Sequence, residues 1–198
     1  FSYTFDPKIN RTGDIWHVFL CGLKAGALYL YRVDGEYNPP KGLRFNYHKY
    51  LFDPYAKAFS KGSVFRSYNN QRSAGLAVIQ NGELFDLSDF PKCVVVDDDD
   101  FDWEGDKPLN YPLEKTVIYE THLKGFTASD SSNVKNKGTY KGFAEKIEYL
   151  KKLGITSVEF LPIFEFDENE NGNVNPRTGE KLVNYWGYST IGFFAPKT

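Results

Sequence analysis

Methionine is missing from the sequence altogether, and the opening Phe1-Ser2-Tyr3-Thr4-Phe5 forms no charged-then-apolar leader. The expectation is a piece of a longer protein with no signal peptide to read. Cysteine is nearly absent too. Cys21 and Cys93 are too few for a disulfide framework or a cysteine-rich metal cluster, and they fit a reducing compartment. No apolar run approaches the roughly 18–20 residues of a spanning helix, so a soluble, cytoplasmic protein with no membrane partner is expected. Neither sign of charge dominates. Lys and Arg number 24 against 26 Asp and Glu, and a net charge of −2 leaves no electrostatic footprint for nucleic acid.

What is present is a chain of 198 residues, room for one ordinary domain or two small ones. Hydrophobic residues at 41% and charged residues at 25% support a packed core and exclude wholesale disorder. Aromatic residues are unusually dense, with 17 Phe, 14 Tyr and 3 Trp.

The first third reads as strands. Residues 14–20 and 27–33 are rich in β-branched and aromatic residues, with a turn at Leu23-Lys24-Ala25-Gly26 between them. Asp34-Gly35 and Asn38-Pro39-Pro40 then break the ladder. Asp53-Pro54 has the form of an N-cap followed by a first-position proline, which predicts a short helix to residue 58. Residues 60–92 carry weak pattern and read as a long irregular segment with an occasional strand. Residues 93–96 make a compact strand candidate. The four consecutive aspartates at 97–100 repel one another and solvate well, so residues 97–115 read as an acidic linker. The expected organisation is thus an all-β portion at 1–96, a linker at 97–115, and a second unit at 116–198.

In that second unit, residues 116–120 form a short strand and 124–138 a polar loop. Thr139 then caps a helix that places Phe143, Ile147 and Leu150 on one face. Gly154 stands where a helix C-terminus wants a left-handed residue. Residues 155–161 form the next strand, closed by Pro162, and a long loop runs from 163 to about 196. Strand, helix and strand at this spacing make one βαβ unit with parallel strands and a right-handed crossover. One such unit cannot be a domain, because its two-stranded sheet does not close.

Several motifs here resemble one family. Tyr119-Glu120-Thr121-His122-Leu123-Lys124-Gly125-Phe126-Thr127 resembles the first barrel strand of isoamylase-type glycogen debranching enzymes in the α-amylase superfamily. Gly138-Thr139-Tyr140 leads into the first helix as it does there. Gly154-Ile155-Thr156-Ser157-Val158-Glu159-Phe160-Leu161-Pro162 is similar to the second strand. Asn184-Tyr185-Trp186-Gly187-Tyr188 and Phe193-Phe194-Ala195-Pro196 are similar to the segment after it. Upstream, Tyr31-Arg32-Val33-Asp34-Gly35 and Leu51-Phe52-Asp53-Pro54-Tyr55-Ala56-Lys57 resemble late strands of the carbohydrate-binding β-sandwich that precedes the barrel.

The resemblance implies an incomplete carbohydrate-binding β-sandwich followed by the first part of a (β/α)8 TIM barrel. It implies a parent glycoside hydrolase that cleaves α-1,6 branch points of glycogen, amylopectin or limit dextrin with retention, and without an organic cofactor. Pullulanase is a second enzymatic reading, and a non-catalytic glucan-binding protein of the same fold a third. Retaining hydrolysis needs two carboxyl groups roughly 5–5.5 Å apart. In this family they come from strands four and five, with an assisting Asp from strand seven. All lie past Thr198, so no catalytic residue is assigned here and the piece alone is expected to be inactive.

Barrel active sites sit at the C-terminal ends of the strands, which puts Tyr185, Trp186 and Tyr188 on the catalytic face. An aromatic ring suits the apolar C–H face of a pyranose. By resemblance, Tyr188 stacks under the sugar at the scissile bond, while for Trp186 and Tyr185 sugar contact and loop packing are equally open. His122 is the fourth candidate substrate-binding residue, with a structural role the stronger alternative. Glu159, inside an apolar strand, needs a partner if buried.

Asp167-Glu168-Asn169-Glu170-Asn171-Gly172 matches the first half of an EF-hand loop, but Thr178 stands where the twelfth-position glutamate belongs. No metal ligands are assigned, and calcium is kept only as the lesser alternative. The open sheet edge after Leu161 also predicts that residues 1–198 alone fold poorly.

Overall fold

In a computed structural model of the chain, the residues described are 1–60, 77–78 and 90–198. The irregular segment expected at 60–92 falls mostly outside them.

The N-terminal part is built from short antiparallel pairs. β1 (Arg11–Thr12) pairs with β2 (Ile15–Trp16) around Gly13, whose φ of 60° supplies the left-handed turn. β3 (Leu28–Tyr29) pairs with β8 (Cys93–Val94), β4 (Tyr37–Asn38) with β5 (Leu43–Arg44), and β6 (Lys49–Tyr50) with β7 (Ala77–Val78). A single bridge joins Tyr31 to Leu51. The antiparallel pairing expected of a sandwich is present, but as separate two-residue ladders, and the strands predicted at 14–20 and 27–33 shrink to β2 and β3. Asn38-Pro39-Pro40 turns the chain as expected, through a 3-10 helix at Pro39–Lys41 that Gly42 closes.

Asp53-Pro54 corrects a prediction. The Tyr55 backbone N–H donates to Asp53 Oδ1 at 2.8 Å and the Ala56 N–H to the Asp53 carbonyl at 3.1 Å, so the cap geometry forms, but no helix follows it. The reason is tertiary. Ala56 and Phe59 are drawn into a core with Cys93 and Ala195, while Asp53 Oδ2 accepts from the Tyr29 hydroxyl at 2.7 Å. The residue-97 end of the acidic run caps a 3-10 helix, Asp98–Asp100, and Lys57 pairs with Asp98.

The second part is α/β. β9 (Ile118–Thr121) lies parallel to β10 (Ser157–Phe160), in register from Ile118 opposite Ser157 to Thr121 opposite Phe160. Between them the chain departs from the single loop and single helix expected. Residues within 124–138 form α1 (Leu123–Ala128) and a 3-10 turn at Asp130–Ser132. The predicted helix is two, α2 (Tyr140–Ala144) and α3 (Ile147–Leu153).

The Glu145 carboxylate explains the break. It accepts from the backbone N–H groups of Lys135 and Asn136, at 2.9 and 3.1 Å, tying the preceding loop to the junction between the helices. Thr139 caps α2 as expected, accepting from the Gly142 N–H at 3.1 Å, and Gly154 closes α3 at φ 87°. The re-aimed axis leaves Phe143 and Leu150 buried but Ile147 half exposed, so Ile147 leaves the predicted face.

Tyr119 and Phe160 reach the helices on one sheet face. Phe143 contacts Phe126 at 5.0 Å and Phe160 at 4.7 Å, and Tyr119 contacts Phe126 at 5.8 Å. Burying one such ring stabilises by roughly 1.5–3 kcal/mol, more than the ~1 kcal/mol of a cap, so packing sets the helix positions. On the other face Glu120 and Glu159 lie side by side in register, both exposed. Glu159 therefore needs no buried partner.

The long loop expected at 163–196 is instead an antiparallel hairpin, β11 (Phe164–Phe166) with β12 (Thr190–Pro196), enclosing residues 167–189. Glu165, fully buried, anchors it: Lys197 Nζ and Thr198 Oγ1 each donate to its carboxylate at 2.9 Å. No helix among the described residues is long and apolar enough to cross a membrane.

Candidate functional site

The site is assembled where β9 ends. His122 is the residue after the strand and caps α1: its Nδ1 accepts from the Gly125 backbone N–H at 2.9 Å. Its Nε2 lies 2.9 Å from the Tyr185 carbonyl oxygen. An accepting Nδ1 leaves the proton on Nε2, so His122 is the neutral Nε2–H tautomer donating to Tyr185. Both nitrogens are thereby occupied, which leaves His122 neither a free base nor a free ligand.

The ring also stacks on Tyr185, with centroids 4.4 Å apart and planes 9° apart, and meets Trp186 edge-on at 5.5 Å. Tyr185 and Trp186 are perpendicular at 5.7 Å. Three of the four candidate residues therefore form one cluster. Tyr188 stands apart from it, 72% exposed and without a ring contact to any described residue. Trp186 is 53% exposed, so about half of the residue's surface is open to a ligand.

The loop carrying these rings is held by residues that the sequence reading did not select. Glu170 Oε1 accepts from Asn184 Nδ2 at 2.7 Å and from Ser189 Oγ at 2.5 Å. Asn184 Nδ2 also donates to Ser189 Oγ at 2.9 Å, and Asn184 Oδ1 accepts from the Gly187 N–H at 2.9 Å. One carboxylate thus ties together both ends of the segment that presents Tyr185, Trp186 and Tyr188. Gly187 is required for two reasons: its φ is 74°, and a Cβ there would come 2.8 Å from the Phe166 ring. An Asn three residues before a Gly was the available signal for this turn.

The half EF-hand has other work. Asp167 Oδ1 and Asn171 Oδ1 each accept from the backbone N–H two residues on, at 2.9 and 2.8 Å, and Glu170 serves the clamp. Among the described residues no group of three or more His, Cys, Asp or Glu is gathered as metal ligands would be.

What the arrangement offers is a patch of partly open aromatic rings bordered by carboxamides. That surface matches a neutral, polyhydroxylated ring with apolar faces. Comparison with known proteins bears on the chain as a whole. Residues 2–56 match carbohydrate-binding module 48, the isoamylase N-terminal domain, a β-sandwich-type module. A Salmonella typhimurium crystal structure bearing an alpha-amylase name superposes over 95% of this chain and 22% of its own, with a TM-score of 0.54 at 21% identity, a likeness of fold. The chain is therefore similar to a carbohydrate-binding module over residues 2–56 and shares the fold of that structure over most of its length.

Along 96% of its length the chain is 41% identical to isoamylase 1 of Arabidopsis thaliana and 42% identical to a glycogen debranching enzyme of Yersinia enterocolitica. Nearly its whole length is thus similar to one part of isoamylases and glycogen debranching enzymes. It spans 23% and 27% of those two relatives, about a quarter of their length.

Proposed function

We propose that this chain is the glycan-binding module and the opening of the catalytic (β/α)8 barrel of a retaining glycosidase that cleaves α-1,6 branch points in glycogen or a related α-glucan. The observation that carries the reading is the clamped aromatic segment 184–189 standing at the C-terminal end of β9, the end at which barrel enzymes bind substrate. Tyr188 is the ring that stacks under the sugar at the scissile bond, and its exposure leaves it free to do so. Trp186 and Tyr185 flank it, and His122 acts as a positioning residue that fixes Tyr185. The nucleophile and the acid/base belong to the portion of the relatives that this chain does not span. The uncovered sheet face bearing Ile118, Glu120 and Glu159 supports a barrel completed by further strands.

The proposed reaction needs no organic cofactor. The free cysteines, Cys21 exposed and Cys93 buried, fit the reducing cytoplasm as the place of action.

The test is an assay of the full-length protein on glycogen, with the products resolved by linkage. Release of linear α-1,4 chains with loss of α-1,6 linkages is expected. Binding of glycogen with no bond cleaved would favour a non-catalytic glucan-binding protein, and cleavage of α-1,4 bonds alone would overturn the debranching reading.

A further inference from the structure

Beside the aromatic cluster lies a recess of about 640 Å³ that Tyr188 does not line. One wall is the turn carrying Asn171 and Asn173, the other is Tyr185 and Trp186, and Val183 adds an apolar side chain between. The volume falls within the range of about 300–1,000 Å³ usual for small-molecule sites.

Its chemistry is selective. Among the described residues no cationic side chain lines the recess and the one charged group there is the Glu170 carboxylate, so an anionic ligand is disfavoured. The Asn173 carboxamide makes no hydrogen bond to any described residue. Exposed and part of the lining, it has a donor pair and an acceptor to offer, a match for neighbouring hydroxyl groups on a sugar. Asn171, also in the lining, is held in place by the Asn173 backbone N–H, which donates to its Oδ1 at 2.8 Å. The half-exposed Trp186 adds an aromatic ring to the lining.

We propose that this recess binds an additional glucosyl unit of the α-glucan chain, separate from the unit stacked on Tyr188, with Asn173 and Trp186 as its principal contacts. The inference rests on the debranching reading above. Tyr188 does not line the recess, and a contact there that is made equally in the ground and transition states acts on binding and not on the chemical step.

The test uses the full-length protein, titrated calorimetrically with maltohexaose and assayed on glycogen. Asn173→Ala should weaken maltohexaose binding and raise KM about fivefold, the effect of one lost hydrogen bond, with kcat unchanged. Val183→Trp, which fills the recess, should raise both at least as much. Both positions are exposed, so thermal transitions matching the wild type are expected and show that the variants are folded. Normal affinity and KM in both variants, with wild-type debranching intact, would overturn this site alone. Wild-type protein that neither binds maltohexaose nor debranches glycogen would overturn the recess and the reading beneath it together.

Discussion

His122 and Glu170 divide the task of holding one short segment. The histidine ring reaches the segment through the Tyr185 carbonyl and the Tyr185 ring, while the carboxylate draws Asn184 and Ser189 together. Replacing Glu170 with alanine removes the shared acceptor and lets the rings scatter. Glu170→Ala in the full-length protein is expected to raise KM for glycogen about tenfold, and Glu170→Gln, which keeps one acceptor oxygen, should recover most of it.

A second carboxylate gives a pH signature. Backbone hydrogen bonds, first from Lys135 and then from Asn136, hold the Glu145 pKa below its ordinary value. A lowered folded-state pKa means that the group stabilises the fold above its unfolded pKa of about 4.3 and that this is lost as pH falls through the folded value. Amide hydrogen exchange at Lys135 and Asn136 should therefore accelerate, relative to the intrinsic rate, as the pH falls through the lowered folded-state pKa, and should already be fast at neutral pH in Glu145→Ala.

At the scale of elements, the tightest approach is between α2 and the loop before it. A Cβ on Gly142 would lie 1.9 Å from the Asn136 carbonyl oxygen, a backbone atom that the Glu145 contacts hold still. Gly142→Ala should destabilise by about 1–3 kcal/mol, read as a lowered denaturation midpoint, although alanine is ordinarily the better helix former. This pairing also shows what the sequence made readable and what it did not. Thr139 as a cap, Gly154 as a C-terminal left-handed residue, and the parallel partners on either side of the helices all follow from local chemistry. The break at Glu145 and the hairpin of β11 and β12 do not, because each depends on contacts across the chain: Glu145 with 135–136, and Glu165 with 197–198. Asp53-Pro54 fails as a helix start for the same reason, its neighbours being taken into a core completed by Ala195. In the site, the four aromatic and histidine candidates were visible as a motif. The clamp on them was not, since the acidic stretch that supplies Glu170 reads more readily as a metal loop than as an anchor.

At the scale of the whole molecule, the two parts are joined by more than the acidic segment between them. Ala56, Phe59 and Cys93 from the module share a core with Ala195 from β12. Tyr55 stacks on Phe194 at 5.2 Å, and a Cβ on Gly192 would lie 2.6 Å from the Phe59 ring. Burial in that core raises the Cys93 thiol pKa to about 11, which leaves it an inert packing group at neutral pH. The hairpin that docks on the N-terminal part is the same one whose connecting segment carries Tyr185, Trp186 and Tyr188, so the N-terminal part braces the base of the loop that presents these rings. Meanwhile Val117, Ile118 and Leu153 remain half exposed on the α/β unit.

The central claim is that this loop meets the substrate through Tyr188. The direct measurement is kcat/KM of full-length Tyr188→Ala on glycogen, alongside its thermal transition. A fall of about tenfold to a hundredfold, equivalent to about 1.4–2.7 kcal/mol of lost transition-state stabilisation, with an unchanged thermal transition, is the predicted result. Unaltered kinetics in the folded variant would contradict it and remove Tyr188 from the site.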